Sequence, residues 1–463
     1  MPGPLHVIST HTIGDNKNML KTKLGFAISA ATLGMALSQT ASADFIGDSK
    51  ANVSLRNFYF NNDNRNGENA PSKVEEWGQG FMVDYKSGFT EGTVGFGVDA
   101  LGMVGLRLDS GSRTNKAGRS RDPGALFPQE SDNSARDEFS QFGANAKVRF
   151  SKTTATYGNA LMPKLPILVA NDGRLLPQTF EGGIVTSNEI DSLTLTAGQI
   201  EHAVGRASTN RTSLSVAGAS QDSNQFRFAG ADWKPMKDLT AQYYFANLDD
   251  FYKQHFLGLT HTLPIADKQS LKTDLRYFRT RGEGENSKGT DGYGFGGYTR
   301  NDTGKIDNNT WSAAFTYSID SHAIMLGHQR VSDNSNFAQL NQGGIGEGAG
   351  GASVYLLTDR QINSFARAGE RTTFGQYSYD FAALGVPGLK TSLAYLKSNH
   401  GRADDGSRGS QWERDLTVEY VIQNGAAKGL GFAWRNASYR TGMDSIRDQD
   451  QNRLIVSYTL SLL

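Results

Sequence analysis

Residues 453–463 alternate apolar and polar to the C-terminus, with Leu454, Val456, Tyr458, Leu460 and Leu462 on one face. A soluble fold rarely ends on such a strand, because its unpaired edge invites aggregation, whereas a closed barrel uses its last strand to seal against the first. The same period of two recurs upstream. Trp311, Ala313, Phe315 and Tyr317 oppose Thr310, Ser312, Thr316 and Ser318; Leu239, Ala241, Tyr243 and Phe245 oppose Thr240, Gln242 and Tyr244. Leu416, Val418, Tyr420 and Ile422 oppose Asp415, Thr417, Glu419 and Gln423. Lipid suits the first face of each set and a wet lumen the second. The run from His322 to Val331 puts His328 and Arg330 in line with Ile324 and Leu326, so its phase stays open.

Short connectors alternate with long polar, Gly-rich ones. Expected periplasmic turns lie at Gly88–Glu91, Ile190–Ser192, Pro235–Asp238, Pro264–Gln269, Asp320–Ser321, Ala383–Gly388 and Gly425–Lys428. Long outward connectors are expected near Asn62–Lys73, Asp109–Asp137, Asn159–Gln178, Gly205–Ser223, Gly282–Ile306, Ser332–Glu370, Asn399–Ser410 and Gly442–Gln451. The fold class read from this rhythm is all-β, a transmembrane antiparallel β-barrel of about 18 strands, the size range that encloses an aqueous channel.

Lys21 and Lys23 precede an apolar stretch, Leu24 to Leu37, and then Ala41-Ser42-Ala43. That is the form of a secretory signal peptide cleaved after Ala43, too short and too rich in Ala, Ser and Gly for a spanning helix. Residues 1–18 carry Pro2 and Pro4 with no targeting logic, so the leader divides into an upstream extension, 1–18, and a signal peptide, 19–43. Residues 44–463 then form one barrel domain, since no linker or shift in composition divides them. The expected location is the bacterial outer membrane. Cysteine is absent, so closure of the sheet, not disulfides, must hold the exported chain together. Removing Lys17, Lys21, Lys23 and Asp15 from 47 basic and 47 acidic residues leaves a formal charge of −2, which gives no support to nucleic-acid binding.

Motifs for catalysis and cofactors fail on context. Gly346, Gly348 and Gly351 satisfy G-x-G-x-x-G with no strand before or helix after. Residues 62–67 resemble the start of a calcium loop but open on Asn62 and have Lys73 where a bidentate Glu belongs. The eight His lack zinc spacing, and Gly-x-Ser-x-Gly is absent. No enzyme, metal or cofactor is expected.

The segment Asn171-Asp172-Gly173-Arg174-Leu175-Leu176-Pro177-Gln178-Thr179-Phe180-Glu181-Gly182 resembles a signature of the substrate-specific OprD-type outer-membrane porins. Asp99 to Met103, Tyr379 to Ala382, Gly385 to Leu389, Trp412 to Arg414 and Trp434 to Asn436 are similar to the same family. The resemblance implies an eighteen-stranded barrel whose third outward connector, Asn159–Gln178, folds into the lumen and constricts it. It also implies passage of small carboxylate-bearing nutrients, whose lost hydration guanidinium and ammonium groups replace. Arg174 and Asp172 are then expected at the constriction, with a structural ion pair between them or a loop-to-wall clamp as the alternative. Pro163, Pro166 and Pro177 would stiffen the loop.

The family lines its wall with a basic ladder, and by parity the inward positions here are Lys147, Arg149, Lys272, Arg276 and Arg435, with Ala433 leaving a gap. A second constricting loop, Ser332–Glu370, would offer Asp359 and Arg360. The expected partners are small carboxylates, outer-membrane lipid and lipopolysaccharide, around a monomeric or weakly associating pore. The function implied is passive, selective diffusion of aromatic or organic acids or amino acids. A barrel hydrolase or adhesin without conductance is the alternative.

Overall fold

The computed structural model describes residues 42–65, 73–110, 125–131, 134–341, 353–444 and 446–463. Positions 1–41, which hold nearly all of the expected leader, and the Gly346-x-Gly348-x-x-Gly351 motif lie outside the described residues. After a short helix, Ser42–Gly47, the chain runs through eighteen long strands. They are β1 Lys50–Asn64, β2 Lys73–Lys86, β3 Val94–Ser110, β4 Glu138–Phe150, β5 Thr153–Leu161 and β6 Thr179–Ser187. Next come β7 Leu193–Val204, β8 Phe226–Met236, β9 Leu239–Leu248, β10 Tyr252–Ala266, β11 Gln269–Gly282 and β12 Asp307–Ile319. The series ends with β13 His322–Val331, β14 Arg371–Asp380, β15 Leu389–Arg402, β16 Arg408–Val421, β17 Gly431–Thr441 and β18 Gln449–Ser461.

Each strand pairs antiparallel with the next, and β18 returns to β1 over thirteen residue pairs, from Asn52↔Ser461 to Asn64↔Gln449. The sheet therefore closes, and each strand's backbone groups find partners on both sides, as a wall surrounded by hydrocarbon requires. Among the described residues no helix is long and apolar enough to cross a membrane.

Side-chain alternation sorts the two faces. Trp77, Phe81, Val83, Phe96, Phe142, Phe150, Trp311 and Phe315 stand exposed on the outer wall, while Phe58, Phe228, Tyr244, Phe256, Phe278 and Phe374 are buried inside. β13, which the sequence left unphased, has Ile324, Leu326, His328 and Arg330 outward and Gln329 buried inward. Two connections escaped the sequence reading. Ser151 and Lys152 close β4 onto β5, and residues 249–251 join β9 to β10 as a tight outward turn.

The buried core lies within the barrel, not between layers. Leu168, Phe337, Leu340 and Leu356, all from outward loops, pack against Phe226, Tyr244, Phe256 and Phe278 from the wall. On the other side Leu126, Phe127, Leu175 and Leu176 pack against Phe58, Phe60, Leu101 and Met103. Burying these loop side chains inside a sleeve of strands narrows the lumen, because the loops can hide their apolar surface nowhere else.

The β6 strand bends at a bulge beside Gly182, whose φ of 150° is open chiefly to glycine and where a Cβ would collide with Gln199 O and lie 2.8 Å from Ile200 Cα. Gly182→Ala should therefore cost about 1–3 kcal/mol. Urea-induced unfolding of the barrel in detergent, followed by its heat-modifiable gel mobility, should show the lowered midpoint; an unchanged midpoint would refute the assignment of strain here.

Candidate channel constriction

The loop between β5 and β6 starts at Met162, turns through a two-pair hairpin, Lys164–Leu165 with Leu168–Val169, and re-enters the wall at Thr179. Its buried Ile167, Leu168, Leu175 and Leu176 draw it into the barrel. Asn171 and Gln178 close its tip, with Gln178 N donating to Asn171 O at 2.9 Å and Asn171 N to Gln178 Oε1 at 3.1 Å. Arg56 of β1 fastens the tip to the wall. Its Nη1 donates at 2.7 Å both to Asp172 Oδ1 and to the Arg174 carbonyl, and its Nη2 reaches Asp172 Oδ2 at 3.3 Å. Asp172 thus pairs with Arg56 and not with Arg174.

The Arg174 guanidinium, which does not pair with Asp172, lies 4.6 Å over the Phe60 ring near Glu76 and donates to Gly173 O at 2.9 Å. Arg206, in the loop after β7, donates to Asn171 Oδ1 at 2.9 Å. Arg453 of β18 is buried 6.0 Å over the same Phe60 ring and donates to the Gln361 carbonyl. Burial first, then the like charges of Arg453 and Arg206, hold the Arg174 guanidinium well below its ordinary range. Arg174, Arg206, Phe60 and Gln361 line one cavity of ≈ 760 Å³, which Arg136, Glu130 and Gln451 also border.

The loop between β13 and β14 supplies the facing wall. Ser353 N donates to Val169 O at 3.2 Å, so the two loops meet across the lumen. Glu413 of β16 anchors the second loop by accepting from Ile362 N and Asn363 N, both at 2.9 Å. Arg360 donates to Gln376 Oε1 at 3.0 Å, toward the wall and near Asp415 and Glu413. Asp359 keeps part of its side chain open to solvent, yet enough protein surrounds it that burial pushes its carboxyl up to about 6, against the pull of Arg360, Arg206 and Arg453.

The remaining residues named from the sequence lie along the inner wall, and most are already paired. Lys147 binds Asp99 at 2.7 Å, Arg276 binds Asp274 through two 2.9 Å bonds, and Arg435 binds Glu419 at 2.9 Å. Arg276 also covers the Tyr355 ring at 4.0 Å and donates to its carbonyl at 3.2 Å, so it holds the second loop. Arg149 lies over the Phe89 ring at 4.4 Å, and Lys272 is exposed to the lumen. Neither has an ion-pair partner among the described residues. Arg56, Arg206 and Arg453 were missed. Arg453 and Arg56 sit on the inward parity of two clearly amphipathic strands, so alternation could have found them; Arg206 lies in a loop with no such signal.

One acidic group, Glu181 and Glu201 with His202, brings its ligand atoms within 4.8 Å, but Arg211 takes both Glu181 oxygens at 2.5 and 2.8 Å, so the cluster is satisfied without a metal. What the constriction offers chemically is three adjoining guanidinium groups at a narrow passage, with the Asp359 carboxyl near Arg206 and Arg453 and Glu76 near Arg174. That excess of guanidinium is suited to attracting an anion.

A family model for outer membrane porins of the OprD family matches residues 43–462. Porin D of Pseudomonas aeruginosa is 34% identical, over 96% of this chain and 100% of its own length. The crystal structure of OccK8 (OprE) from the same species has a TM-score of 0.81 at 50% identity, covering 91% of this chain and 100% of that one. OpdK of that species, crystallised with vanillate, has a TM-score of 0.78 at 33% identity, covering 90% and 100%.

The Arg56 clamp and the Asp359 carboxyl each give an expected outcome. Arg56→Ala frees the loop tip, and single-channel records should show open-current noise at least about twofold above the parent, because a surface-tethered loop loses its main charge-assisted bonds; quiet traces would mean the apolar side chains alone hold the loop. Lowering pH through about 6 protonates Asp359 and removes a negative charge from beside Arg360, Arg206 and Arg453. Anion preference in reversal-potential measurements should therefore rise from pH 7 to pH 5, and Asp359→Asn should show the acid-type preference at both pH values; a parental pH response in the variant would assign it elsewhere.

Proposed function

The chain belongs to the OprD family of outer-membrane porins, a channel and not an enzyme, and from that premise we propose that it is a passive, substrate-selective diffusion pathway for small carboxylate-bearing nutrients. The observation that carries the reading is the adjoining guanidinium set of Arg174 and Arg206, which line the narrow cavity, and Arg453 over the shared Phe60 ring. Guanidinium forks match carboxylates two bonds at a time, and a file of such groups replaces the hydration a guest loses on entering. Lys272 and Arg149 extend the positive path below the constriction, whereas Lys147, Arg276 and Arg435 are spent on lumen carboxylates and contribute little net field.

OpdK carries vanillate, an aromatic carboxylate, in one of its crystal structures, and that supports an aromatic acid as the first guest to try. A short organic acid or an amino acid fits the same chemistry less fully: Phe60, beneath two of the arginines, provides an apolar surface for a ring. Cleavage after Ala43 follows export, and the barrel works as a single pore, each molecule carrying its own constriction.

The deciding experiment is single-channel recording of the purified barrel in planar bilayers, with benzoate, a short aliphatic acid and arginine added in turn. Benzoate should block the small, anion-leaning current, and Arg453→Gln should weaken that block at least about tenfold, ~1.5 kcal/mol for one lost charge-assisted bond. Cation-selective current indifferent to all three additives would defeat the proposal, as would undiminished block in the variant.

A further inference from the structure

The charges on the outer wall are not evenly spread around the rim. At the end of the barrel bearing the long loops, which in a porin faces outward, five bases stand on β10, β11, β13, β14 and β15: Lys253, Arg281, Arg330, Arg371 and Lys397, with Asp307 of the intervening β12 opposite Arg281. All are exposed, and their sequence neighbours fix the direction in which they point. Gln254, Thr280, Gln329, Thr372, Leu396 and Ser398 are almost wholly buried inside, so the alternating positions must face away from the lumen. The pairings Lys253↔Arg281 and Arg330↔Arg371 place like charges side by side across adjacent strands, an arrangement that raises the energy of the sheet unless an anion lies over it.

Compensation by the protein is partial. Lys253 has Glu283 at 3.2 Å, and neighbouring Arg279 has Asp307 at 2.6 Å. Arg281, Arg330, Arg371 and Lys397 have no ion-pair partner among the described residues. Just below them the wall becomes aromatic and aliphatic, with Leu257, Tyr277, Leu326, Tyr377 and Tyr395 exposed. The bases therefore stand where acyl chains give way to headgroups. Between β10 and β11 the wall is hollowed into a depression of ≈ 550 Å³ bordered by Lys253, His255, Arg279, Arg281 and Ser287. On the opposite flank the outward rim charges are mixed: Asp63 and Glu75 are paired with Arg65 and Lys73, and Glu138 stands nearby, so no comparable run of unpaired bases stands there.

We infer that this basic flank, β10 to β15, is a docking surface for the phosphorylated glycolipid of the outer leaflet, with acyl chains lying against the aromatic and aliphatic band and headgroup phosphates bridging the unpaired bases. Arginine suits the task because its fork takes two phosphate oxygens at once. The inference rests on the outer-membrane location alone and is independent of which solute the lumen passes.

The test uses protein purified from the outer membrane, delipidated in detergent and kept in EDTA to remove cation bridges. It is incubated with lipid A bearing both phosphates or with the same lipid stripped of them, and the lipid retained through gel filtration is measured. Retention of the phosphorylated lipid should be at least about tenfold higher. An equal concentration of inorganic pyrophosphate should not displace it, because the acyl chains share the surface. In Arg281→Gln/Arg330→Gln/Arg371→Gln/Lys397→Gln the discrimination should vanish while channel conductance stays at the parental value. Equal retention of the two lipids by the unaltered protein overturns the inference without recourse to any variant. So does full displacement by pyrophosphate, which would mark a site for free anions, and so does undiminished discrimination in the quadruple variant.

Discussion

Every feature of this chain follows from one requirement: a backbone placed in hydrocarbon must satisfy all its hydrogen bonds within the sheet, so the sheet must close. The thirteen pairs between β18 and β1 meet that requirement, and they also decide where chemistry can reside. With one face of every strand given to lipid, polar and charged side chains are restricted to the lumen and to the two rims. The apolar residues of the long loops face the same restriction from the other side. Phe337, Leu340, Leu356, Leu168, Leu175 and Leu176 find burial only inside the sleeve, and carrying them there draws the loops across the passage. The constriction is thus a consequence of where a barrel can hide hydrophobic surface, and the polar groups at the loop tips are delivered to the pore by that packing.

Charge inside the lumen is managed by pairing. Lys147 with Asp99, Arg276 with Asp274, Arg435 with Glu419 and Arg56 with Asp172 remove four bases from the field while fastening strands and loops to one another. Pairs like these are stabilising only in good geometry, and the two-bond contacts of Arg56 and Arg276 have it. What remains unpaired includes Arg149 and Lys272 on the wall and the guanidinium group of Arg206 at the constriction. A sequence shows how many bases a barrel holds, but the working number is the remainder after pairing, which depends on partners from 2 to 116 residues away.

That distinction marks how far the sequence could be read. The faces of 309–318 and 239–245 were legible because period-two alternation is a local property, and the β13 strand was not, because His328 and Arg330 sit outward at the level where a membrane wall turns from aliphatic to polar. The turn at Ser151-Lys152 and the link at 249–251 were not read from the sequence; their tightness depends on positive φ at Ser151 (53°) and Asp250 (65°). The Asn171–Gly182 segment identified the loop that enters the lumen through its likeness to a family. It could not say that Asp172 answers to Arg56, a residue 116 positions earlier. Arg453 was available by parity beside Leu454, while Arg206 was not available at all, since a loop residue has no parity.

The carboxylate passage proposed above asks for opposing qualities at the same atoms: enough attraction to strip water from the guest and too little to keep it. The environment of Arg174 and Arg453 supplies both. Crowding of like charges makes an entering anion welcome, because it relieves repulsion among Arg174, Arg206 and Arg453. The Phe60 face beneath two of them and the Asp359 carboxyl alongside already satisfy part of that demand when the passage is empty. A guest therefore displaces a standing compensation and does not fill an unmet need, and its net gain is the difference between the two. Because that difference is small, each guanidinium can hand the guest to the next at thermal energies, and the rate of passage is set by how evenly the compensation is distributed along the wall.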